Sequence, residues 1–237
     1  TRSTMIMPNV ASLTSSIVVD VTGVGYVVNN ATAQCKFGEF PPAAAKVINS
    51  TVLQCSTPFI TATSDTSSSG SSPSSTVINQ NTGAWITLSI SMNGGIDWIN
   101  DGLELYMSPP AVVSTITPTN GRPGTKISIY GHHFVNTETL SCSFGSTVAV
   151  VRAEFESEHV VSCVVPSAFT GETTEKARIL HVQVSNSGLD FELNYANDNV
   201  TFSCSDGDIN VSYISPVVVY ASRGSDILLM DPQHGFD

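Results

Sequence analysis

Apolar residues along this chain recur at every second position, the period of a half-buried strand. Ile17-Val18-Val19-Asp20-Val21 and Ile86-Thr87-Leu88-Ser89-Ile90 read as strands, the second in clean alternation. Leu53 and Cys55 face one way, Val52 and Gln54 the other. Ile127 and Ile129 form one inward pair, and Leu180, Val182 and Val184 an inward triplet. Glu154, Glu156 and Glu158 alternate on the opposite phase and share a solvated face. No stretch reads as a long helix. Asn93-Gly94 predicts a two-residue hairpin, since such a turn needs positive φ at both positions.

The pattern repeats. Ile6-Met7-Pro8, Ile116-Thr117-Pro118 and Ile214-Ser215-Pro216 open three copies of one motif series. Gly23-Val24-Gly25-Tyr26 stands where Gly131-His132-His133-Phe134 stands, and His234-Gly235-Phe236 falls at the corresponding place in the third. Cys35-Lys36-Phe37-Gly38 repeats Cys142-Ser143-Phe144-Gly145, and Cys55-Ser56-Thr57-Pro58 repeats Cys163-Val164-Val165-Pro166. Asn93-Gly94-Gly95-Ile96-Asp97-Trp98 is matched to Asn186-Ser187-Gly188-Leu189-Asp190-Phe191. This order of landmarks resembles the immunoglobulin-like module called IPT/TIG, found in plexin-type receptors and Rel-type transcription factors. The resemblance implies an all-β chain of tandem immunoglobulin-like β-sandwiches, two complete and a third begun. Residues 1–107 would form the first module, 108–205 the second and 206–237 an incomplete third.

Matching places in the two modules give the cysteines their reading. Cys35 with Cys55, and Cys142 with Cys163, are expected to form intramodule disulfides; four reduced, buried thiols are the alternative. Bridges would place the chain in an oxidising compartment. A closed loop of about twenty residues contributes roughly 3 kcal/mol in the chain-entropy model. Cys204 is left over, either as a core thiol or as partner to a cysteine outside this stretch.

Charged residues make up only 12% of the 237, and the net charge is −11. A surface of that sign repels phosphate backbones, which argues against nucleic acid as a partner. No apolar run approaches membrane-spanning length, so no membrane insertion is expected within this stretch. Low charge leaves solubility to be supplied otherwise, and four sequons offer attached glycans: Asn30, Asn49, Asn199 and Asn210. Twelve of the sixteen residues 61–76 are Ser or Thr. Such a run cannot bury enough apolar surface to order itself, and the bland reading is a mobile surface loop. The sharper reading makes Thr61, Thr63, Ser64, Thr66, Ser67, Ser68, Ser69, Ser71, Ser72, Ser74, Ser75 and Thr76 candidate O-glycosylation sites. Ser108-Pro109-Pro110 predicts a semi-rigid connector between modules.

No active site is legible, and an enzyme is not expected. His132 and His133 are adjacent, so on a strand they point to opposite faces and do not readily chelate one ion; His181 sits on an outward phase. No nucleophile elbow, phosphate loop or zinc-type cluster occurs. Asp206 and Asp208, with Asn197 and Asp198, are weak calcium candidates without a recognised loop spacing; no other cofactor is expected. Trp85 and Trp98 read as packing and edge aromatics, and no exposed aromatic cluster is foreseen.

Two functions fit these features. One is an extracellular structural glycoprotein of a fibre, whose incomplete third module is completed by strands of a neighbouring copy or of further repeats. Ile214, Pro216, Ile227, Leu229 and Phe236 would then form the assembly segment. The other is a fragment of a cell-surface receptor or adhesin ectodomain that binds a protein ligand.

Overall fold

A computed structural model describes residues 1–28, 32–59, 82–167, 178–191, 200–205, 213–215 and 228–230. Every element named below is a β-strand. The first module contains β1 (Arg2–Met7), β2 (Val10–Ser12), β3 (Val18–Val24), β4 (Gln34–Phe37), β5 (Ala43–Ala44), β6 (Lys46–Asn49), β7 (Val52–Ser56), β8 (Ala84–Ser91) and β9 (Glu104–Ser108). They form two sheets, ordered β1-β3-β7-β6 and β2-β9-β8-β4-β5. The second module contains β10 (Val112–Thr117), β11 (Asn120–Gly121), β12 (Lys126–His132), β13 (Ser141–Phe144), β14 (Ser146–Arg152), β15 (Glu154–Ser157), β16 (Val160–Val164), β17 (Arg178–Ser185) and β18 (Thr201–Cys204). Its sheets, β10-β12-β16-β15 and β11-β18-β17-β13-β14, repeat the first pair strand for strand.

The repetition extends to local detail. In both modules the first strand splits between the two sheets around a cis peptide bond, Met7-Pro8 and Thr117-Pro118. Its second half, β2 or β11, then pairs parallel to the last strand, β9 or β18. Register shifts fall at equivalent places, between Ser3 and Met5 and between Val113 and Thr115. Buried and exposed positions follow one sequence of eight in β8 and β17. Alternation at period two supplies this: inward side chains of both sheets fill a single core layer.

Each module has its own core. Phe37, Leu53, Leu105 and Met107 are among the fully buried residues of the first, with Phe144, Ile127, Ile129 and Phe202 in the second. Gly23 and Gly131 permit the approach of the first and third strands. A Cβ on Gly131 would lie 1.9 Å from the Val112 carbonyl oxygen, and one on Gly23 would lie 2.3 Å from that of Arg2.

Two sequence expectations change at this level. Ser108 belongs to the first module, pairing with Ser12 as the last residue of β9, so the boundary falls one residue later than expected. Asn93-Gly94 is not a two-residue hairpin. Among non-glycine residues only His133 has positive φ within the described chain, while Gly94 and Gly95 have φ of 73° and 86°. The strands are joined by a longer loop organised by Ser91, whose hydroxyl accepts from the Asn93 and Gly95 amides. A third sheet pairs β19 (Tyr213–Ser215) with β20 (Leu228–Met230), and its two strands hydrogen-bond only to each other among the described residues.

Candidate functional site

The two bridges are formed as intramodule links. Cys35–Cys55 joins β4 to β7 and Cys142–Cys163 joins β13 to β16, with Cα separations of 5.9 and 6.5 Å. In each module those strands belong to opposite sheets, so the bond staples the sandwich across its core. Cys204 is buried in the second core, at the position that Met107 fills in the first.

Asn49, at the exposed end of β6, presents a sequon in a tight local turn. Its Oδ1 accepts from both the Thr51 amide and the Thr51 hydroxyl at 2.8 Å, and the residue is exposed. Asn30, Asn199 and Asn210 lie outside the described residues, as does the whole run from Thr61 to Thr76. So do the calcium candidates Asn197, Asp198, Asp206 and Asp208. Of the assembly segment, Ile214 and Leu229 are backbone register partners in the β19–β20 pairing; Pro216, Ile227 and Phe236 lie outside the described residues.

The junction between modules is the most elaborated region that the sequence did not signal. Only residues 109–111 separate β9 from β10, and Ser108, Pro109 and Ala111 are buried. Asn186, 4% exposed, organises this region. Its Oδ1 accepts from the Val135 amide at 3.0 Å, and its Nδ2 donates to the His133 carbonyl at 2.8 Å and to Ser108 Oγ at 3.4 Å. Its backbone carbonyl accepts from the Thr137 and Thr139 hydroxyls. Strand register equates Ile90 with Val184, since these oppose Cys35 and Cys142. Asn186 therefore corresponds to Met92, and Asn93 to Ser187. Matching Asn93 to Asn186 in the sequence hid this, because the first module carries one extra glycine in the loop. The proline connector is thus a packed and hydrogen-bonded joint.

Beside the joint three imidazoles gather. His132 ends β12, but His133 leaves the strand with φ 64°. That departure overturns the opposite-faces expectation: the two rings are 6.3 Å apart, centre to centre. His159, from the β15–β16 turn, sets its ring 5.3 Å from that of His132 in an edge-to-face arrangement. His133 Nδ1 lies 3.3 Å from the Pro110 carbonyl, and His159 Nδ1 lies 3.2 Å from the Gly131 carbonyl. Glu158 places a carboxylate oxygen 3.3 Å from His159 Nε2. Of the other acids on this face, Glu154 pairs with Lys126 at 2.5 Å, and that ammonium holds its carboxyl below the usual range.

On the first module, Trp85 is 58% exposed and its ring lies 5.1 Å from that of Tyr106. The pair sits on the outer face of β8 and β9, where Trp85 and Tyr106 are register partners. An exposed aromatic pair is present after all. The sequence read Trp85 as a packing or edge aromatic, and nothing in it could show that the cross-strand neighbour is Tyr106.

Residues 111–204 match the family model for the IPT/TIG domain. No curated protein matches the chain. Among solved structures, the plexin A4 full extracellular region (domains 1 to 10) is similar over 85% of this chain, at 14% identity and a TM-score of 0.53; the chain spans 16% of its length. A second plexin A4 extracellular structure (domains 1 to 8) is similar over 78% of this chain and 17% of its own, at 15% identity and a TM-score of 0.44. A surface glycan-binding protein from Prevotella bryantii covers 76% of this chain and 39% of its own, at 14% identity and a TM-score of 0.26. The first of these likenesses informs the fold. The chain therefore holds an IPT/TIG domain at residues 111–204, preceded by a sandwich that repeats its sheets strand for strand.

Proposed function

We propose that this chain is a non-enzymatic segment of an extracellular receptor or adhesin ectodomain that binds a protein ligand. The observation that carries the reading is the pair of disulfide-stapled IPT/TIG sandwiches held in sequence by a packed joint. Bridges of this kind persist in oxidising compartments, and the structure similar at TM-score 0.53 is an extracellular region. A fixed joint presents the outer faces of both modules in one orientation. The Trp85–Tyr106 pair offers the kind of anchor that dominates protein contacts, large and apolar with a polar edge. Asn49 and the other sequons would carry glycans on the remaining surface. The test is saturable binding of the labelled full chain to intact cells, compared with Trp85→Ser. Saturable binding that Trp85→Ser loses supports the reading, whereas binding that never saturates removes it.

A second reading has its own observation. The β19–β20 pair has no further sheet neighbours among the described residues, and two-stranded sheets are at best marginal in water. Such strands suit completion by a neighbouring copy, giving the building block of a fibre. Electron microscopy of native material separates the two: regular filaments support the fibre, and dispersed particles defeat it.

A further inference from the structure

We infer that Asn49 carries an N-linked oligosaccharide and that this sugar closes the open edge of the first module to other strands. A strand at the end of a sheet offers unpaired amides and carbonyls to any passing chain, and folded proteins blunt such edges. Among the described residues β6 and β15 are two of them, each last in its sheet order beside β7 or β16. Their registers correspond: Lys46 opposes Gln54 as Glu154 opposes Ser162, and both strands shift register before the turn. Glu154, Glu156 and Glu158 therefore stand where Lys46, Ile48 and Ser50 stand. A strand that docked on β15 would have to strip water from carboxylates, which is costly. The first module keeps one charge on its edge, Lys46 at the start of β6, and sets Ile48, 41% exposed, next to Asn49. Protection of that edge has to come from something else.

The turn after β6 does not itself require a sequon. Ser157 Oγ accepts from the His159 amide at 3.2 Å, as Asn49 Oδ1 accepts from the Thr51 amide at 2.8 Å. Serine thus serves the same turn in the second module, and what Asn49 and Thr51 add is a glycan acceptor. The turn also lies against an apolar corner. The Gly23 amide donates to the Thr51 carbonyl at 2.9 Å and the Tyr26 amide to the Ser50 carbonyl at 3.2 Å. These bonds join it to the end of β3, where Val24, Val27 and Val28 are all exposed. Register puts His132 at the place of Val24 in the second module, so that corner is polar where acids flank the turn. Left bare, Ile48 and three valines beside an unpaired edge form an association site. An oligosaccharide rooted at Asn49 is bulky and hydrated, and it covers the edge and the valines together.

Attachment joins Asn49 Nδ2 to the anomeric carbon of an oligosaccharide carried on a lipid diphosphate. The anomeric C–O bond breaks, a C–N bond forms, and the proton lost by the amide goes to the departing diphosphate. The step needs passage through a secretory compartment, so it rests on the extracellular reading proposed above. Mass mapping of the full chain secreted from eukaryotic cells, before and after an enzyme that releases N-linked sugar, should find Asn49 occupied. Asn49→Ser removes the acceptor and keeps the turn, as Ser157 does; in analytical ultracentrifugation it should sediment as larger species than the parent at the same concentration. Adding Ile48→Glu, the residue that Glu156 supplies in the second module, should restore the parent's sedimentation. An unmodified Asn49, an Asn49→Ser chain that sediments like the parent, or association that Ile48→Glu does not reverse overturns the assignment. Sugar on other sequons with Asn49 bare defeats it and leaves the extracellular reading standing, whereas absence of saturable cell binding removes that reading and leaves an occupied Asn49 in place.

Discussion

Single residues swapped between equivalent places in the two modules give the sharpest tests. Tyr26 and Phe134 are both 3% exposed and occupy one position. Tyr26 donates to Ser3 Oγ at 3.1 Å, and the residue equivalent to Ser3 is Val113. The first module thus holds a hydrogen-bonded pair where the second holds an apolar one. Tyr26→Phe alone strands the buried Ser3 hydroxyl and should cost about 1 kcal/mol. Adding Ser3→Val should recover most of it in a double-mutant cycle by denaturant unfolding. Burial raises the Tyr26 phenol above 10.0, the Ser3 bond pulls it partly back, and Asp101 adds to the rise. Its contribution is therefore constant below pH 10 and is lost as pH climbs from there through the raised folded value, because the unfolded chain releases the proton first. Tyr26→Phe should flatten that alkaline limb. At His133 the reverse swap applies: His133→Gly relieves the left-handed conformation and should stabilise the chain by about 1 kcal/mol.

At the scale of elements, most of the sandwich was legible and the joint was not. Period-two alternation located β3, β8, β12 and β17 because each has one wet and one dry face. Matched cysteine spacing located the staples because both modules close the same distance between sheets. Asn186 carried no such signal. A buried amide that reaches Val135, His133 and Ser108 depends on two loops meeting the end of β9, and no periodicity encodes that. The histidine cluster was misread for a related reason: alternation holds only while the strand lasts, and His133 leaves it. Asn186→Ala leaves the Val135 amide without its acceptor in a part-buried place and should cost about 1 kcal/mol. It should also loosen the joint, broadening the distribution of inter-module distances between spin labels on the two modules. An unchanged distribution would mean that the packing of buried Pro109 and Ala111 holds the orientation alone.

Among the described residues the molecule is two self-sufficient sandwiches and one further pair of strands, and the difference can be measured. The cores of residues 1–108 and 111–204 are closed by their own strands and each is stapled across its sheets. Among the described residues the β19–β20 pair adds strand pairing only between its own two strands. Removing residues 209–237 should therefore leave the unfolding transition of both modules within about 0.5 kcal/mol, the scatter of substitutions that touch no core. The same truncation decides between the two functional readings. If the pair docks on a neighbouring copy, the parent chain should form filaments or large oligomers in light scattering and the truncated chain should not, since the complementary strand contact has gone. If the chain is a receptor segment, both should scatter as monomers, and the truncated chain should keep the Trp85-dependent binding, because that aromatic pair lies in the first module. A truncated chain that still polymerises would move the assembly contact onto the sandwiches themselves, where Trp85, more than half exposed, is the first residue to change.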